Sequence, residues 1–200
     1  MRARPISKVI AAAALTFTIF GCGATDSPVA PPLQRPTPTG PEARHTLLGS
    51  PETVVPVLRD SALPSPITVS KTIGILGGTI SIPSAGLTVV VPALALATSQ
   101  TISVTAVVGS KVAYEFSPHG LTFNVPLVMT QDLTHTQAKP GGVLNALNLF
   151  VGYFPNSASP TSVTEELGVS LTLQHTAAVT TLWHFSGYIL AGGRDNAAEY

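Results

Sequence analysis

The stretch of sequence from residue 67 to residue 108 holds four short segments that indicate the fold class. They read Ile67-Thr-Val-Ser-Lys-Thr-Ile73, Thr79-Ile-Ser-Ile82, Leu87-Thr-Val-Val-Val91 and Ile102-Ser-Val-Thr-Ala-Val-Val108. Apolar and polar residues alternate in them with a period of two, which is typical of half-buried strands. Turn residues separate the segments, as in Pro83-Ser-Ala-Gly86. The stretch therefore predicts a run of antiparallel strands.

The same pattern continues toward the C-terminus. Further strands are predicted at Val112–Phe116, Leu121–Phe123, Pro126–Thr130, Leu147–Phe154, Val169–Leu173, Ala178–Phe185 and Tyr188–Ala191. A helix is possible only at Pro92–Ser99, where Ala and Leu cluster. Roughly ten short strands at this spacing indicate an all-β sandwich or barrel. We expect this domain to cover residues 56–192, with a disordered tail over 193–200.

Charged residues are scarce in the chain. Only 10% of the residues are charged, with ten basic and ten acidic residues and a formal net charge of zero, against roughly 25% in an average soluble protein. A nucleic-acid-binding protein needs a basic surface to displace counterions from the phosphates. The composition therefore excludes nucleic acid as a partner.

The N-terminus has the pattern of a signal peptide over residues 1–21. Arg2, Arg4 and Lys8 form a positive start, and an uncharged apolar run follows from Val9 to Phe20. As a helix this run would span roughly 18 Å, whereas a bilayer core is about 30 Å thick. The run therefore predicts an export signal and not a membrane-spanning anchor.

A lipid-attachment motif comes directly after this run. Ile19-Phe-Gly-Cys22 resembles the bacterial lipobox, and Cys22 is the one cysteine of the chain, so it has no internal disulfide partner. The resemblance implies that the Cys22 thiol carries a diacylglycerol and its freed amine a further acyl chain such as palmitate. Two or more chains give stable anchoring. Gly23 favours the outer over the inner membrane by the same resemblance. The alternative is a signal-peptide cysteine that is lost on cleavage.

Proline interrupts the segment between Cys22 and the predicted domain. Seven prolines lie in residues 22–55, at Pro28, Pro31, Pro32, Pro36, Pro38, Pro41 and Pro51. Such a segment buries too little apolar surface to offset the entropy of ordering it. We therefore expect residues 22–55 to be an extended, disordered tether between the lipid and the domain.

Two motifs inside the predicted domain resemble the ZU5 family. The first is Gly77-Gly-Thr-Ile-Ser-Ile-Pro83 with Gly86-Leu-Thr-Val-Val-Val-Pro92, and the second is Phe116-Ser-Pro-His-Gly-Leu-Thr-Phe-Asn-Val-Pro126. The Pro-Gly-Ala that is common in that family after Val-Pro is absent here. The resemblance implies a β-sandwich that serves as an interaction module in scaffolding proteins.

A third segment, Trp183-His-Phe-Ser-Gly-Tyr188, resembles the His-Phe-Ser segment of UPA domains. In some animal proteins with ZU5 and UPA domains, that segment cleaves itself between Phe and Ser. Cleavage at Phe185 would need the Ser186 hydroxyl as nucleophile, His184 as its base and a distorted peptide bond. On a regular strand His184 and Ser186 point to one face. The alternative is a buried Phe185, peripheral His184 and Ser186, and a bulge at Gly187, and we predict an intact chain.

No other pattern in the sequence indicates catalysis. His175 and His184 with Glu165-Glu166 are the nearest approach to a metal site, but solvated histidines explain them more simply, and we predict neither a metal nor a cofactor. Glu165-Glu166 is expected to be a solvated pair that protects a sheet edge. Trp183, Phe185 and Tyr188 are expected to form a core or rim cluster.

These observations favour a non-enzymatic interaction or structural module in the bacterial cell envelope. The membrane is its partner through the lipid on Cys22, and a further protein or envelope component is its expected ligand. A sugar-binding or enzymatic sandwich and the self-cleaving domain remain as alternatives. A deep polar pocket would favour the enzyme or sugar binder, and an exposed apolar patch would favour the interaction module.

Overall fold

The computed structural model describes residues 45–195 as an all-β protein. Its strands are β1 His45–Pro56, β2 Leu58–Leu63, β3 Ile67–Ile73, β4 Gly78–Ile82, β5 Leu87–Val91, β6 Gln100–Ala106, β7 Gly109–Lys111, β8 Ala113–Ser117, β9 Thr122–Asp132, β10 Phe150–Phe154, β11 Ser162–Gly168, β12 Ser170–Leu171, β13 Ala177–His184 and β14 Gly187–Arg194. Two 3₁₀ turns, Pro83–Ala85 and Ala146–Asn148, complete the regular elements of this range. No helix within it is long and apolar enough to cross a membrane.

The strands form two large sheets and one small one. The seven-stranded sheet has the order β1-β11-β10-β14-β8-β6-β3, the five-stranded sheet has the order β12-β13-β9-β5-β4, and β2 pairs with β7. All strand pairs are antiparallel. The predicted all-β class with antiparallel sheets is therefore confirmed, while the sandwich arrangement and the ZU5 resemblance stay predictions.

Both large sheets contribute side chains to one hydrophobic core. Ile102, Val104 and Phe116 come from the seven-stranded sheet, and Val89 and Leu127 come from the five-stranded sheet, all of them completely buried. Strand β14 is apolar on both of its faces, because Ile189 and Ala191 pack in a second cluster with Val54 and Phe154. The apolar residues that alternate in the sequence are thus the residues that face the core in the strands.

One long strand, β9, takes the place of two predicted strands. Residues 121–123 and 126–130 were expected to form separate strands, but β9 runs unbroken from Thr122 to Asp132 through Pro126. Pro126 has no N–H to donate to a neighbouring strand. It lies where the register between β9 and β13 shifts, beyond the pairing of Leu127 with Leu182. The irregular pairing accommodates the proline.

The structure corrects both limits of the predicted domain. Residues 45–55, assigned to the tether, form most of strand β1, and Gly193 and Arg194, assigned to the tail, end strand β14. Strand β1 pairs with β11 and β14 despite Pro51, because its register shifts between Leu47 and Glu52. The folded part therefore starts by His45. The predicted signal peptide, Cys22, residues 23–44 of the tether and residues 196–200 of the tail lie outside the described residues.

The possible helix at Pro92–Ser99 is replaced by turns. Leu94 has a φ of 66°, a left-handed conformation that ends any right-handed helix there. Ala95 and Leu96 are both buried in the core. Burial of these two side chains outweighs the helix propensity of the Ala-Leu run.

Candidate functional site

The segment His184-Phe-Ser186 crosses from one large sheet to the other. His184 ends β13 of the five-stranded sheet, and Gly187 begins β14 of the seven-stranded sheet. Phe185 is 1% exposed and Ser186 is 4% exposed. The expectation that Phe185 is a core residue is confirmed, whereas Ser186 is not a surface group. The segment is therefore a buried link and not part of a regular strand.

Phe185 is fixed through its ring and through its backbone. Its ring centroid lies 4.7 Å from that of Phe123 and 5.1 Å from that of Phe116. Its N–H donates to the carbonyl of Leu121 at 2.8 Å, and its carbonyl accepts from the N–H of Gly120 at 3.0 Å. The would-be scissile carbonyl thus has one hydrogen-bond donor, the arrangement that would stabilise an oxyanion if a nucleophile attacked it.

His184 makes its contacts away from Ser186. Its Nε2 lies 3.5 Å from Oε2 of Glu165, and its Nδ1 lies 3.3 Å from the hydroxyl of Tyr188. The Tyr188 hydroxyl donates to the His184 carbonyl at 2.6 Å. The ring of Tyr153 stands edge-on to the imidazole, with centroids 5.4 Å apart. Within residues 45–195 no hydrogen bond joins the imidazole to Ser186, so the base and the nucleophile of a cleavage reaction are not paired.

The backbone of the link has neither a left-handed φ nor a cis peptide bond. The non-glycine residues with a positive φ in the described range are Leu94 and His175, and its cis peptide bond is Ser117-Pro118. Neither feature falls on Phe185 or Ser186. Gly187 pairs in regular register with Phe154 and Glu115, so the predicted bulge is absent. A side chain at this glycine would collide with the Phe154 ring, and this close approach explains the glycine.

Glu165 is buried, which corrects the prediction of a solvated edge pair. It is 5% exposed on β11, an interior strand between β1 and β10, while Glu166 binds Arg194 with two hydrogen bonds of 2.9 Å. The sequence signal for this burial is the spacing to Leu167, because residues two apart share a face of a strand. Burial raises the pKa of the Tyr188 phenol first of all, and the nearby Glu165 and Tyr153 raise it further.

The three aromatic residues predicted as one cluster are split. Phe185 and Tyr188 are buried, and both contact Phe116, but Trp183 is half exposed. Trp183 belongs to β13, where buried and exposed residues alternate, and it lies on the outward face. The split follows from this alternation.

The histidines do not assemble a metal site. His175 lies in the turn before β13 and His184 lies at the far end of that strand, so the two imidazoles do not face each other. An eight-residue strand is about 26 Å long. Among the residues that the structure describes, no group of three or more His, Cys, Asp or Glu side chains is placed to hold a metal ion.

Two neighbouring turns carry exposed apolar side chains, which we call the loop-tip patch. It consists of Ile75 and Leu76, between β3 and β4, and Leu94, after β5, with exposures of 52%, 88% and 61%. The Leu94 N–H donates to the Ile75 carbonyl at 2.7 Å, so one turn supports the other. Gly77, with a φ of 74°, closes the first turn where any side chain would collide with Val91 and Pro92.

The comparisons with known proteins leave the family open. No protein-family model matches the chain, and no curated protein matches it. The ZU5 and UPA resemblances therefore rest on the sequence motifs alone.

Proposed function

We propose that this protein is a lipid-anchored, non-enzymatic binding module of the bacterial cell envelope. In this proposal Cys22 carries the lipid, a Pro-rich tether of about residues 22–44 spaces the domain from the outer membrane, and the ZU5-like domain contacts an envelope protein. The partner presents an apolar surface to the loop-tip patch.

The observation that carries the proposal is the conformation of Leu94. A left-handed φ costs a non-glycine residue about 1 kcal/mol, and a glycine at position 94 would avoid this cost. Here the strained backbone holds a large apolar side chain in solvent, beside Ile75 and Leu76. Exposed apolar clusters of this kind mark contact surfaces. The His184 imidazole contacts Glu165 and Tyr188 and makes no hydrogen bond to Ser186 within the described residues, which supports the non-enzymatic part of the proposal.

Site-specific photo-crosslinking in cells tests the contact. A photoreactive residue at Leu76 should give one reproducible adduct with an envelope protein, and Leu94→Glu should abolish it. Leu173 is the matched control, because it is a fully exposed leucine in another turn, between β12 and β13. Equal adducts from positions 76 and 173, or none from position 76, would count against the patch.

Fractionation of the same cells tests the anchor separately. Cys22→Ser should leave the protein with its signal peptide attached and without acyl chains, visible as a change in intact mass. Wild-type mass and membrane partitioning in this variant would refute the lipoprotein assignment and leave the crosslinking result standing.

A further inference from the structure

A cavity of about 380 Å³ opens beside strand β2, and its lining shares no residue with the His184 segment or with the loop-tip patch. Three stretches of the chain line it. They are residues 59–61 of β2, residues 83–86 around the first 3₁₀ turn, and residues 131, 132, 135 and 136 at and after the end of β9. The volume is enough for a small organic ligand.

Arg59 is the one strongly buried cation on this lining. It is 7% exposed, its Nη1 donates to the carbonyl of Lys111, and its guanidinium carbon lies 5.5 Å from the ring centroid of Tyr114. Its Nε and Nη2 atoms are buried and have no hydrogen-bond partner among residues 45–195. Leaving charged donors unsatisfied in the interior costs several kcal/mol at most sites, so such groups call for an explanation.

The two unsatisfied nitrogens lie on one edge of the guanidinium. Nε–H and Nη2–H point in parallel, and their spacing matches the two oxygens of a carboxylate, which binds such an edge through two hydrogen bonds. The third nitrogen, Nη1, is directed to Lys111 instead. Arg59 is therefore oriented so that its carboxylate-binding edge makes no hydrogen bond within residues 45–195.

The polar groups next to Arg59 are occupied with one another. The Tyr114 hydroxyl lies 2.5 Å from Oε1 of Gln131 and 2.7 Å from the carbonyl of Ala85. The Gln131 amide donates to the carbonyls of Ala85 and Asp132, at 3.1 and 2.8 Å. The Thr136 hydroxyl donates to the carbonyl of Leu133 at 2.9 Å. This network fixes the cavity wall. The Arg59 guanidinium acts on the Tyr114 hydroxyl, but within residues 45–195 no group of the network makes a hydrogen bond to Nε or Nη2.

The exposed rim of the cavity has the opposite charge. Asp60 and Asp132 lie there with exposed side chains, and Asp60 pairs with Lys139 at 2.8 Å. Lys139 offsets the charge of Asp60, whereas Asp132 accepts hydrogen bonds from Thr134 alone among the described residues and keeps a negative charge at the rim that disfavours a phosphate dianion. A buried cation with this rim charge suits a ligand with a carboxylate at one end and an ammonium at the other.

We propose that this cavity binds a small α-amino acid. Its carboxylate accepts two hydrogen bonds from Nε and Nη2 of Arg59, and its ammonium lies toward Asp60 and Asp132. Binding needs a local shift of the Arg59 side chain, because both nitrogens are covered in the unliganded protein. This inference is independent of the proposed lipid anchor and envelope partner.

Titration calorimetry on the full chain in mild detergent tests the site with glycine, acetate and inorganic phosphate as probes. Glycine should give saturable heat, acetate should bind more weakly, and phosphate should bind least. Arg59→Met should weaken glycine binding by roughly tenfold to a hundredfold, the loss expected for hydrogen bonds to a charged group. Absence of saturable heat from glycine overturns the proposal, and so does tightest binding of phosphate.

A second variant keeps Arg59 in place. Ser84→Trp adds a bulky side chain at an exposed position on the cavity rim and should reduce glycine affinity at least about tenfold by filling the cavity. Ser157→Trp is the matched control, because Ser157 is an exposed serine in the loop after β10, and it should bind glycine like the wild type. Unchanged affinity in Ser84→Trp would place the binding elsewhere and overturn the assignment.

Discussion

Tyr114 and Tyr188 lie opposite each other in the seven-stranded sheet, yet their hydroxyls serve different regions. The two residues are direct partners on β8 and β14, and both are completely buried. The Tyr114 hydroxyl joins Gln131 and Ala85 beside the cation Arg59, while the Tyr188 hydroxyl joins His184 near the anion Glu165. The first region opens on a cavity, and the second is closed by aromatic rings.

Two buried tyrosines of the same sheet thus differ in what acts on their pKa and in structural role because their charged neighbours differ. Burial raises the pKa of both phenols, but Arg59 works against that rise at Tyr114, whereas Glu165 adds to it at Tyr188. Around Tyr188 the described contacts hold the link between the sheets. Around Tyr114 they hold the wall of a cavity lined by Arg59, whose Nε and Nη2 make no hydrogen bond within the described residues.

The largest effect is expected at Gly187, where an added side chain has no room beside the Phe154 ring. Gly187→Ala should lower the free energy of unfolding by about 3 kcal/mol, because the new methyl group overlaps the Phe154 ring in a packed interior. Gly193→Ala is the control, since the same strand leaves open space at that position. Chemical denaturation measures both variants. Equal stability of the two would show that the interior around Tyr188 is not tightly packed.

Removing the hydroxyl of each tyrosine in turn measures what its hydrogen bonds contribute to the free energy of unfolding. Tyr114→Phe should cost about 2 kcal/mol of unfolding free energy, because it leaves the buried Gln131 carbonyl oxygen without its donor. Tyr188→Phe should cost about 1 kcal/mol, because His184 is only partly buried and water can replace the lost bond. Denaturant midpoints at neutral pH give the order, and the reverse order would contradict this account.

The pH dependence of thermal stability should change at alkaline pH when either buried phenol is removed. A phenol whose folded-state pKa is raised keeps its proton to a higher pH than in the unfolded chain, where the pKa is about 10. Its contribution is fully present below that pH and is lost as the pH rises from there through the folded-state value. Tyr188→Phe should therefore flatten the fall in thermal stability above about pH 10.

Tyr114→Phe should also flatten the alkaline fall, because burial raises the pKa of Tyr114 despite the opposing charge of Arg59. Thermal melting followed by circular dichroism between about pH 8 and pH 11 gives the two slopes. A steeper slope in either variant than in the wild type would show that the sign assigned to its phenol is wrong.

The smallest effect is expected at Ser186. Because the imidazole of His184 is held by Glu165 and Tyr188 and not by Ser186, the chain should stay intact at the Phe185-Ser186 bond. Denaturing mass spectrometry should give the same uncleaved C-terminus for the wild type and for Ser186→Ala. A wild-type fragment that ends at Phe185 and disappears in the variant would establish self-cleavage.

The strands between residues 67 and 91 could be predicted from the sequence because they are short, rich in Val, Ile and Thr, and each is followed by a turn residue. Strand β11 was missed, since Glu165-Glu166 suggested a solvated segment although Glu165 shares its face with Leu167. Strand β1 was missed because Gly49, Pro51 and Pro56 are typical of a linker. Its register shift admits the proline, and a shift of this kind depends on the partner strand, not on local sequence.

The candidate sites were harder to predict than the fold. The burial of Phe185 could be predicted because His184 and Ser186, on either side of it, were assigned to the opposite face. The contact of His184 with Glu165 could not, because it depends on the pairing of β10 with β11 and β14. Arg59 gave no signal, because its burial depends on the cavity built by β2, β9 and the turn at Pro83. Groups from distant stretches meet only once the register of several strands is known.

The register shift in β1 also has a mechanical consequence. It divides the strand into an outer part, where His45–Leu47 pair with β11, and an inner part from Glu52 onward that pairs with β11 and then β14. A pull on the chain from its N-terminal side loads the outer part first. Releasing residues 45–51 would add about 24 Å of reach before the inner pairs carry the force. In the proposed lipid-anchored protein, the outer part of β1 would thus lengthen the tether under tension while the core stays folded.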